Sequence, residues 1–537
     1  MVRRFGVVLL AAVMAGCDAD VGTVTTMPAG ESDYASEYDR QRGPVLAARE
    51  ADWRNGAIVY QVIVDRFAPP ADLEAKRHLY PAPKRLRSWS ETPKRGTFLP
   101  DAQVWTQEID FWGGDLASLR GKLDYVAGLG VDVLYLNPIH HAYTNHKYDA
   151  LDYFAVSPEY GTRDDVKALA DACHERGLKL VLDGVFNHMG RHSAWFQEAL
   201  ADPQSPKRDW FFIDKRYKHG YRAWANVPNL PELRLENPAV RARLYGDPDS
   251  VVQGYLRDGV DGWRLDVAHD IGFRFLSELT EAAHRARPGS LVVGEIWNYP
   301  QEWSPAVDAV MNFHARGIIL NLVQGHLSGP AAGRLVETMI ADAGLDPILK
   351  AWLVLDNHDV PRLRTLLPPA WPQRMAQVLQ FTLPGSPNVY YGVEVGMEGK
   401  RDPEMRGPMR WDLVSDDNPD MQWMRRLIGL RRGSRALQIG DFRRLDSETL
   451  LAFQRSTDRI GELVIVVANP TSKAVTEVLP VRDSKLMNFA KVRDALSDVE
   501  AQAESGLIRV TVPAHTACVL QPVMADGGDY SPYKRVQ

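Results

Sequence analysis

The chain has 537 residues, of which 45% are hydrophobic and 25% are charged. These shares are typical of globular proteins, and they exclude a disordered, a collagen-like or a polytopic membrane chain. The net charge is −6, and without a basic excess we expect no nucleic-acid partner. Only three cysteines are present, so we expect neither a disulfide framework nor a cysteine-rich metal site.

The first 17 residues have the pattern of an export signal. Arg3 and Arg4 precede an apolar run over residues 5–15, which has the length of a signal-peptide core and is too short to span a bilayer. The small residues before Cys17 resemble the lipobox of bacterial lipoproteins, and this resemblance implies acylation of Cys17. We therefore predict an exported lipoprotein, anchored to a membrane and located in the periplasm or at the cell surface. A cleaved signal with an incidental cysteine is the alternative.

The segment after the signal is predicted to be a tether, over residues 18–50. Residues 18–43 are rich in Ser, Thr, Gly and acidic residues and show no periodicity, as a flexible linker would. No later run of 18 apolar residues occurs. We therefore expect the body of the protein to be soluble and at most lipid-anchored.

Eight short apolar runs predict β-strands. Segments with helical periodicity lie between several of them, for example residues 116–129 and 163–176. Alternating strands and helices favour parallel pairing, and eight such units predict a (β/α)8 TIM barrel. The eight runs are residues 57–64, 131–137, 179–185, 261–267, 291–296, 309–313, 351–355 and 388–391.

Two intervals are too long for a plain barrel. Asp183 and Asp266 close the third and fourth runs and lie 83 positions apart, whereas one barrel unit averages about 31 residues. We therefore predict an inserted domain B over residues 188–245, between barrel parts 51–187 and 246–433. The first interval also carries a Pro- and Arg-rich insertion. Alternating strands without helices then predict a C-terminal antiparallel β-sandwich over residues 434–525 and a tail over 526–537.

Acidic residues close four of the predicted strands, at the end where a barrel builds its active site. An acid after a strand is often only a helix N-cap, but four such ends favour a catalytic cluster. The third strand ends in Asp183, the fourth in Asp266, the fifth in Glu295, and the seventh in Asp356 and Asp359, with Arg264, His188 and His358 close by in sequence.

Such a cluster suits cleavage of a glycosidic bond through a cationic transition state. One carboxylate attacks the anomeric carbon, a carboxylic acid protonates the leaving oxygen, and further groups stabilise the developing charge. Arg264 lies two residues before Asp266, so both side chains share one face of the strand, and its charge favours an ionised nucleophile. The apolar neighbours Ile296 and Trp297 make Glu295 the better candidate for the acid.

At these residues the sequence resembles the α-amylase family, family 13 of the glycoside hydrolases. The motifs are D-G-V-F-N-H at 183–188, G-W-R-L-D at 262–266, G-E-I-W at 294–297 and N-H-D at 357–359. The resemblance implies that Asp266 is the nucleophile, Glu295 the general acid/base and Asp359 the transition-state stabiliser. It also implies a set of sugar-binding residues, which comprises Asp183, Arg264, His188, His358, His146 and Tyr148, with Tyr148 as the stacking platform.

The subclass is indicated by two further segments. N-H-K-Y-D at 145–149 and V-P-N-L-P-E at 227–232 look most like the neopullulanase and cyclomaltodextrinase branch, although Pro231 replaces an Asn of that branch. This resemblance implies a retaining hydrolase for α-1,4 bonds of maltodextrins, starch fragments, pullulan or cyclodextrins. The alternatives are a transglycosidase of the same fold and a non-catalytic glucan-binding or transporter-associated protein. The predicted partner is an α-glucan, and the oligomeric state is left open.

Calcium is the one cofactor that the resemblance raises. Asn187 matches an Asn that binds structural calcium in many α-amylases, and oxygen ligands suit this ion. The residues after D-R-F, at 68–72, lack the Asp-, Asn- and Gly-rich loop of calcium-binding relatives. Calcium at Asn187 is therefore an open expectation, and no other cofactor is predicted.

Overall fold

The computed structural model describes residues 35–524 and 531–536. Cys17 and the predicted signal lie outside these residues, so lipidation stays a prediction. In the described part of the chain no helix combines the length and the apolar character that crossing a membrane requires.

Eight parallel strands close into a barrel, and each pairs with its neighbours in chain order. This confirms the predicted TIM barrel. Nearly all strand residues are buried, because side chains fill the interior while helices cover the outside, and this explains why the runs are apolar throughout instead of alternating. The strands are Val59–Val62, Val133–Leu136, Lys179–Gly184, Gly262–Leu265, Leu291–Ile296, Ala309–Asn312, Trp352–Val354 and Ser386–Tyr390.

The helices around the barrel follow from apolar stripes and side-chain caps. In Arg163–His174 the hydroxyl of Thr162 accepts from the amide of Asp165, and Val166, Leu169, Ala170 and Cys173 are buried, a spacing that forms one face. The other helices in this part of the chain are Leu116–Arg120, Leu123–Leu129, Val251–Arg257, Ala268–Ala286, Phe313–Val323, Gly329–Ala343, Leu345–Lys350, Leu363–Leu366, Ala370–Thr382, Pro419–Arg432 and Arg435–Ile439.

Two excursions leave the barrel at the carboxyl ends of its strands. The predicted domain B falls between the third strand and helix Val251–Arg257, and it contains the helices Ala194–Ala201 and Pro238–Arg241. After the first strand, the pairs Arg85–Leu86 with Asp110–Phe111 and Phe98–Leu99 with Val104–Trp105 build a small layer. Both excursions therefore border the catalytic end of the barrel.

The C-terminal domain is an eight-stranded antiparallel sheet that folds over a core of its own. This confirms the predicted antiparallel domain. Residues 531–536 of the predicted tail lie against it, since the Tyr533 hydroxyl accepts from the amide of Met487 at 3.3 Å. The strands are Asp441–Arg444, Leu451–Ser456, Val464–Asn469, Val475–Pro480, Lys491–Asp494, Glu500–Glu504, Leu507–Val512 and Thr516–Pro522.

The predicted tether is wrong for its last part, because Glu37–Ala51 is a helix. Ser36 and Asp39 cap its start reciprocally. Arg49 forms ion pairs with Asp346 at 2.6 Å and with Asp441 at 2.8 Å. The helix carries Pro44 and few apolar residues, so ion pairs to the barrel and to the C-terminal domain, not an apolar stripe, fix it in place.

Candidate active site

Arg264 and Asp183 form the buried base of the site. They are register partners on the fourth and third barrel strands, so their side chains point to the same side of the sheet. Nη1 of Arg264 donates to both oxygens of Asp183, at 2.8 and 3.0 Å. Both side chains are excluded from solvent. Asp183 thereby fixes the guanidinium in the interior of the barrel.

The same guanidinium contacts two further acids. Nη1 of Arg264 is 3.2 Å from Oδ1 of Asp266, and Nη2 is 2.9 Å from Oε2 of Glu295. Asp266 and Glu295 are 7% and 5% exposed. Three strand ends therefore converge on one cation, as the sequence predicts, and the three carboxylates outnumber the single positive charge. This excess of negative charge suits a cationic transition state.

The protonation of Asp266 is set by opposing effects. Burial raises the pKa of Asp266 well above its usual range, and the negative charges of Glu295, Asp183 and Asp359 raise it further. The positive charge of Arg264 lowers it, as the sequence predicts, but the lowering is smaller than the sum of the opposing effects. Arg264 alone therefore does not determine the charge of the nucleophile candidate.

Glu295 is held by groups from two strand ends. Its Oε2 accepts from the backbone amide of Val267 at 2.9 Å, and its Oε1 accepts from Nε1 of Trp297 at 3.0 Å. The Trp297 ring stacks on Phe313, with centroids 3.8 Å apart. Packing thus fixes the orientation of the carboxyl group before any substrate binds.

Asp359 lies at the rim of the site, with about a third of its side chain exposed. Its amide donates to the Asn357 side chain at 2.8 Å, and its carboxylate contacts Nη2 of Arg406 at 3.3 Å and Nε2 of His358 at 3.1 Å. Asp356, three residues earlier, instead accepts from the amide of Leu363 at 2.7 Å. Of the two acids after the seventh strand, only Asp359 joins the site.

Tyr148 and His358 lie side by side. The Tyr148 hydroxyl is 2.5 Å from Nε2 of His358 and donates to Asp183 at 3.0 Å, and the two rings differ by only 7°. The rings form an offset parallel stack, with centroids 5.5 Å apart. Amide donors of Gln61 and Asn137 approach Nδ1 of His358, which assigns the ring hydrogen to Nε2.

His188 and His146 contribute differently. His188 is buried, stacks on Trp224 of domain B and places Nε2 3.9 Å from Oδ2 of Asp266. Burial lowers its pKa to about 3, and Nε2 has no hydrogen-bond partner among the described residues, so a neutral ring nitrogen is free for a ligand. His146 contacts Tyr148 and Glu108; in the described structure no ion pair or hydrogen bond joins it to the central acids.

This geometry agrees with what comparison with known proteins finds. A family model described as the α-amylase catalytic domain matches residues 85–428. The chain belongs to the α-amylase family. Neopullulanase 2 of Thermoactinomyces vulgaris is 31% identical, over 91% of this chain and 83% of that protein. A cyclomaltodextrinase of Geobacillus thermopakistaniensis is 32% identical, over 86% and 76%.

Solved structures agree with this assignment. A cyclic α-maltosyl-(1→6)-maltose hydrolase from Arthrobacter globiformis superposes with a TM-score of 0.73 at 27% identity, covering 88% of this chain and 99% of that one. The type III pullulan hydrolase from Thermococcus kodakarensis gives 0.72 at 28% identity, covering 88% and 82%. The family predicted from the four motifs and the barrel predicted from the eight apolar runs are confirmed, and this α-amylase family member is a glycoside hydrolase acting on α-glucans.

Calcium at Asn187 stays a prediction. The side-chain amide of Asn187 lies 3.4 Å from Nδ1 of His188. Among residues 35–524 and 531–536, no three His, Cys, Asp or Glu side chains come together as a metal would need. Calcium prefers six to eight oxygen ligands that include carboxylates. We therefore derive no role for calcium in this α-amylase family member.

Sequence reasoning missed several residues of the site. Gln61 lies within the first strand, Asn137 directly follows the second, and Arg406 and Trp224 come from loops. A polar side chain that ends an apolar run was the available signal for Asn137, and a polar side chain within such a run was the signal for Gln61. Nothing in the local sequence distinguishes Arg406 or Trp224 from other loop residues.

Proposed function

We propose that this hydrolase cleaves α-1,4-glucosidic bonds of maltodextrins, starch fragments, pullulan or cyclodextrins, with retention of configuration. The single observation that carries the proposal is the guanidinium of Arg264, which contacts Asp183, Asp266 and Glu295 at once. It places a nucleophile candidate and an acid candidate around one charge. The names of the relatives, neopullulanase and cyclomaltodextrinase, support the choice of substrates.

In the first step, a carboxylate oxygen of Asp266 forms a bond to the anomeric carbon. The bond from that carbon to the glycosidic oxygen breaks, and Glu295 gives its proton to the departing sugar. The excess of carboxylates stabilises the positive charge on the ring as it develops. In the second step, Glu295 takes a proton from water, and the hydroxide displaces Asp266 with a second inversion.

Further residues bind the sugar ring. The unpartnered Nε2 of His188 lies 3.9 Å from Asp266, and Nε2 of His358 lies 3.1 Å from Asp359, so both rings line the site next to the acids. Asp359 is the most exposed of the acids, and its carboxylate is available to accept from sugar hydroxyls. The ring of Tyr148 lies beside them as the stacking platform, and the hydrogen bond from its hydroxyl to Asp183 holds it in place.

The test is a digest of maltoheptaose, pullulan and β-cyclodextrin with separation of the products, together with NMR of the first anomer released. We expect shorter oligosaccharides with the α configuration. Release of the β anomer would contradict the double displacement. Products longer than maltoheptaose would identify transglycosylation, and no turnover by a folded protein would favour the non-catalytic alternative.

We also propose that the enzyme is exported and anchored through Cys17. The support is the pattern of residues 3–17 in the sequence. Among the relatives, the intracellular maltogenic amylase of Bacillus subtilis, 30% identical over 84% of this chain, carries a different location in its name. The location of this protein therefore needs its own experiment.

A further inference from the structure

Val267 has an unusual backbone conformation directly after the nucleophile candidate. Its φ is 38° and its ψ is 48°, in the left-handed region. The β-branched side chain makes this conformation unfavourable, so it is a genuine outlier for valine. The backbone amide of the preceding residue, Asp266, still donates to the carbonyl of Gly184 on the third strand, at 3.1 Å. The next helix begins at Ala268. A single residue therefore makes the reversal from strand to helix.

At this reversal the amide of Val267 points towards Glu295. The amide donates to Oε2 of Glu295 at 2.9 Å, within the buried interior. Nη2 of Arg264 is equally close to Oε2, but it makes no directed hydrogen bond. In the part of the chain that the structure describes, Val267 is therefore the one directed donor to this oxygen.

The two oxygens of Glu295 consequently differ. Oε2 faces the Val267 amide and the positive charge of Arg264, and both favour a bare acceptor oxygen there. Oε1 accepts one hydrogen bond, from Trp297, which leaves a second lone pair for a proton. A proton on Glu295 is therefore better accommodated on Oε1.

We propose that Val267 is a positioning residue, whose left-handed backbone fixes Oε2 of Glu295 and leaves Oε1 as the oxygen that transfers the proton. This inference rests on the proposed role of Glu295 as general acid/base. In the first step the proton passes from Oε1 to the glycosidic oxygen, which takes the electron pair of the breaking bond. The new negative charge of Glu295 is then shared with Oε2, where the Val267 amide and Arg264 stabilise it. Water returns a proton to Oε1 in the second step.

Replacing Val267 with α-hydroxyisovaleric acid tests the proposal, because it changes the amide N–H to an ester oxygen and keeps the side chain. We would measure kcat/KM on maltotriose, whose sugar leaving group needs protonation, and on an aryl α-maltoside with a nitrophenol leaving group, which hardly needs it. We expect a loss of about 10- to 100-fold on maltotriose and of less than about threefold on the aryl substrate.

Two controls isolate the amide. The same ester at Val260, whose amide bonds to the Tyr255 carbonyl at the opposite end of the barrel, should leave both rates unchanged. Val267→Gly keeps the amide and tolerates positive φ, so the ratio of the two rates should stay that of the wild type. A ratio that shifts as far in Val267→Gly as in the ester would overturn the proposal, because the isopropyl group would then be responsible.

Glu295→Gln separates this inference from the proposed function. If Glu295 is the acid, the variant should lose far more on maltotriose than on the aryl substrate. Equal losses on both would refute the acid role itself. A selective loss in Glu295→Gln without one in the Val267 ester would refute only the positioning role of Val267.

Discussion

At the scale of single residues, the balance around Asp266 predicts the pH dependence of the reaction. Burial and three neighbouring carboxylates raise the pKa of Asp266 against the effect of Arg264. A nucleophile must be ionised, so activity is present above this raised pKa and falls as the pH drops through it. We expect the acid limb of kcat/KM to lie above the usual aspartate range, as a pH profile on maltotriose would reveal.

Asp266→Asn tests whether the group behind that pH profile is the nucleophile. It removes the attacking oxygen with little change of shape, so we expect a loss of at least about 10³-fold in kcat and an unchanged fold by circular dichroism. Appreciable turnover by the pure variant would exclude Asp266 as the nucleophile. An acid limb at the ordinary aspartate pKa would instead show that, in the free enzyme, other groups offset the effect of burial on the pKa of Asp266.

Tyr148 combines two functions that substitution can separate. Its hydroxyl bonds to Asp183 and His358, and its ring is the proposed platform for a sugar, where stacking contributes about 1 to 2 kcal/mol. Tyr148→Ala should lower kcat/KM by roughly tenfold or more. Tyr148→Phe should lose less, because Asp183 keeps its bonds to Arg264 and Tyr135. Equal losses in both variants would assign the effect to the hydroxyl, and a parallel fall in melting temperature would assign it to packing.

The residues that the sequence predicts and those that it misses differ in a physical way. Asp183, Asp266 and Glu295 each end a long apolar run, and an acid at such a position is unusual enough to notice. Asn137 and Gln61 are neutral and therefore less noticeable than an acid beside or within an apolar run, and Arg406 reaches Asp359 from a loop. The conformation of Val267 runs against the preference of valine, so only tertiary structure reveals it.

At the scale of elements, helix Glu37–Ala51 shows how charge replaces periodicity. Arg49 is 8% exposed and contacts Asp346, Asp441 and the carbonyl of Ile439. Arg49→Ala removes the donor to Asp346 and to the Ile439 carbonyl, whereas Asp441 keeps its ion pair with Arg42. Since Asp346 is largely exposed, we expect a loss of only about 1 to 2 kcal/mol in the free energy of unfolding. Urea denaturation of the two proteins would measure it.

Arg40 provides the matched control on the same helix. Its pair with Glu37 is exposed on both sides, so Arg40→Ala should change stability little, and both variants should keep the kcat of the wild type. A similar loss in the two variants would mean that helix propensity, not the ion pairs of Arg49, determines the effect. The barrel strands were predictable because hydrophobic runs specify them locally, whereas this helix depends on partners some 300 to 400 positions away, at Asp346 and Asp441.

The chain enters the barrel at the end opposite the catalytic acids. Nε1 of Trp53 donates to the carbonyl of Gly289, and Arg54 contacts the carbonyl of Ser290 and the carboxylate of Asp308. These partners immediately precede the fifth and sixth strands, whose other ends carry the site. The described part of the segment before the barrel, residues 35–54, therefore lies at the end away from the catalytic acids.

The position of residues 35–54 predicts how a membrane anchor at Cys17 would affect access to the catalytic end. If Cys17 is acylated, the native protein should sediment with membranes, and Cys17→Ser should release it or block its maturation. Because residues 35–54 lie at the far end of the barrel, a membrane on that side would not obstruct the catalytic end. We expect the anchored and the detergent-released wild-type enzyme to hydrolyse pullulan, a large polymer, and maltotriose with the same ratio of rates. A wild-type protein that is processed and fully soluble would exclude the anchor, and anchored enzyme that selectively loses pullulan hydrolysis would show that the membrane lies against the mouth of the barrel.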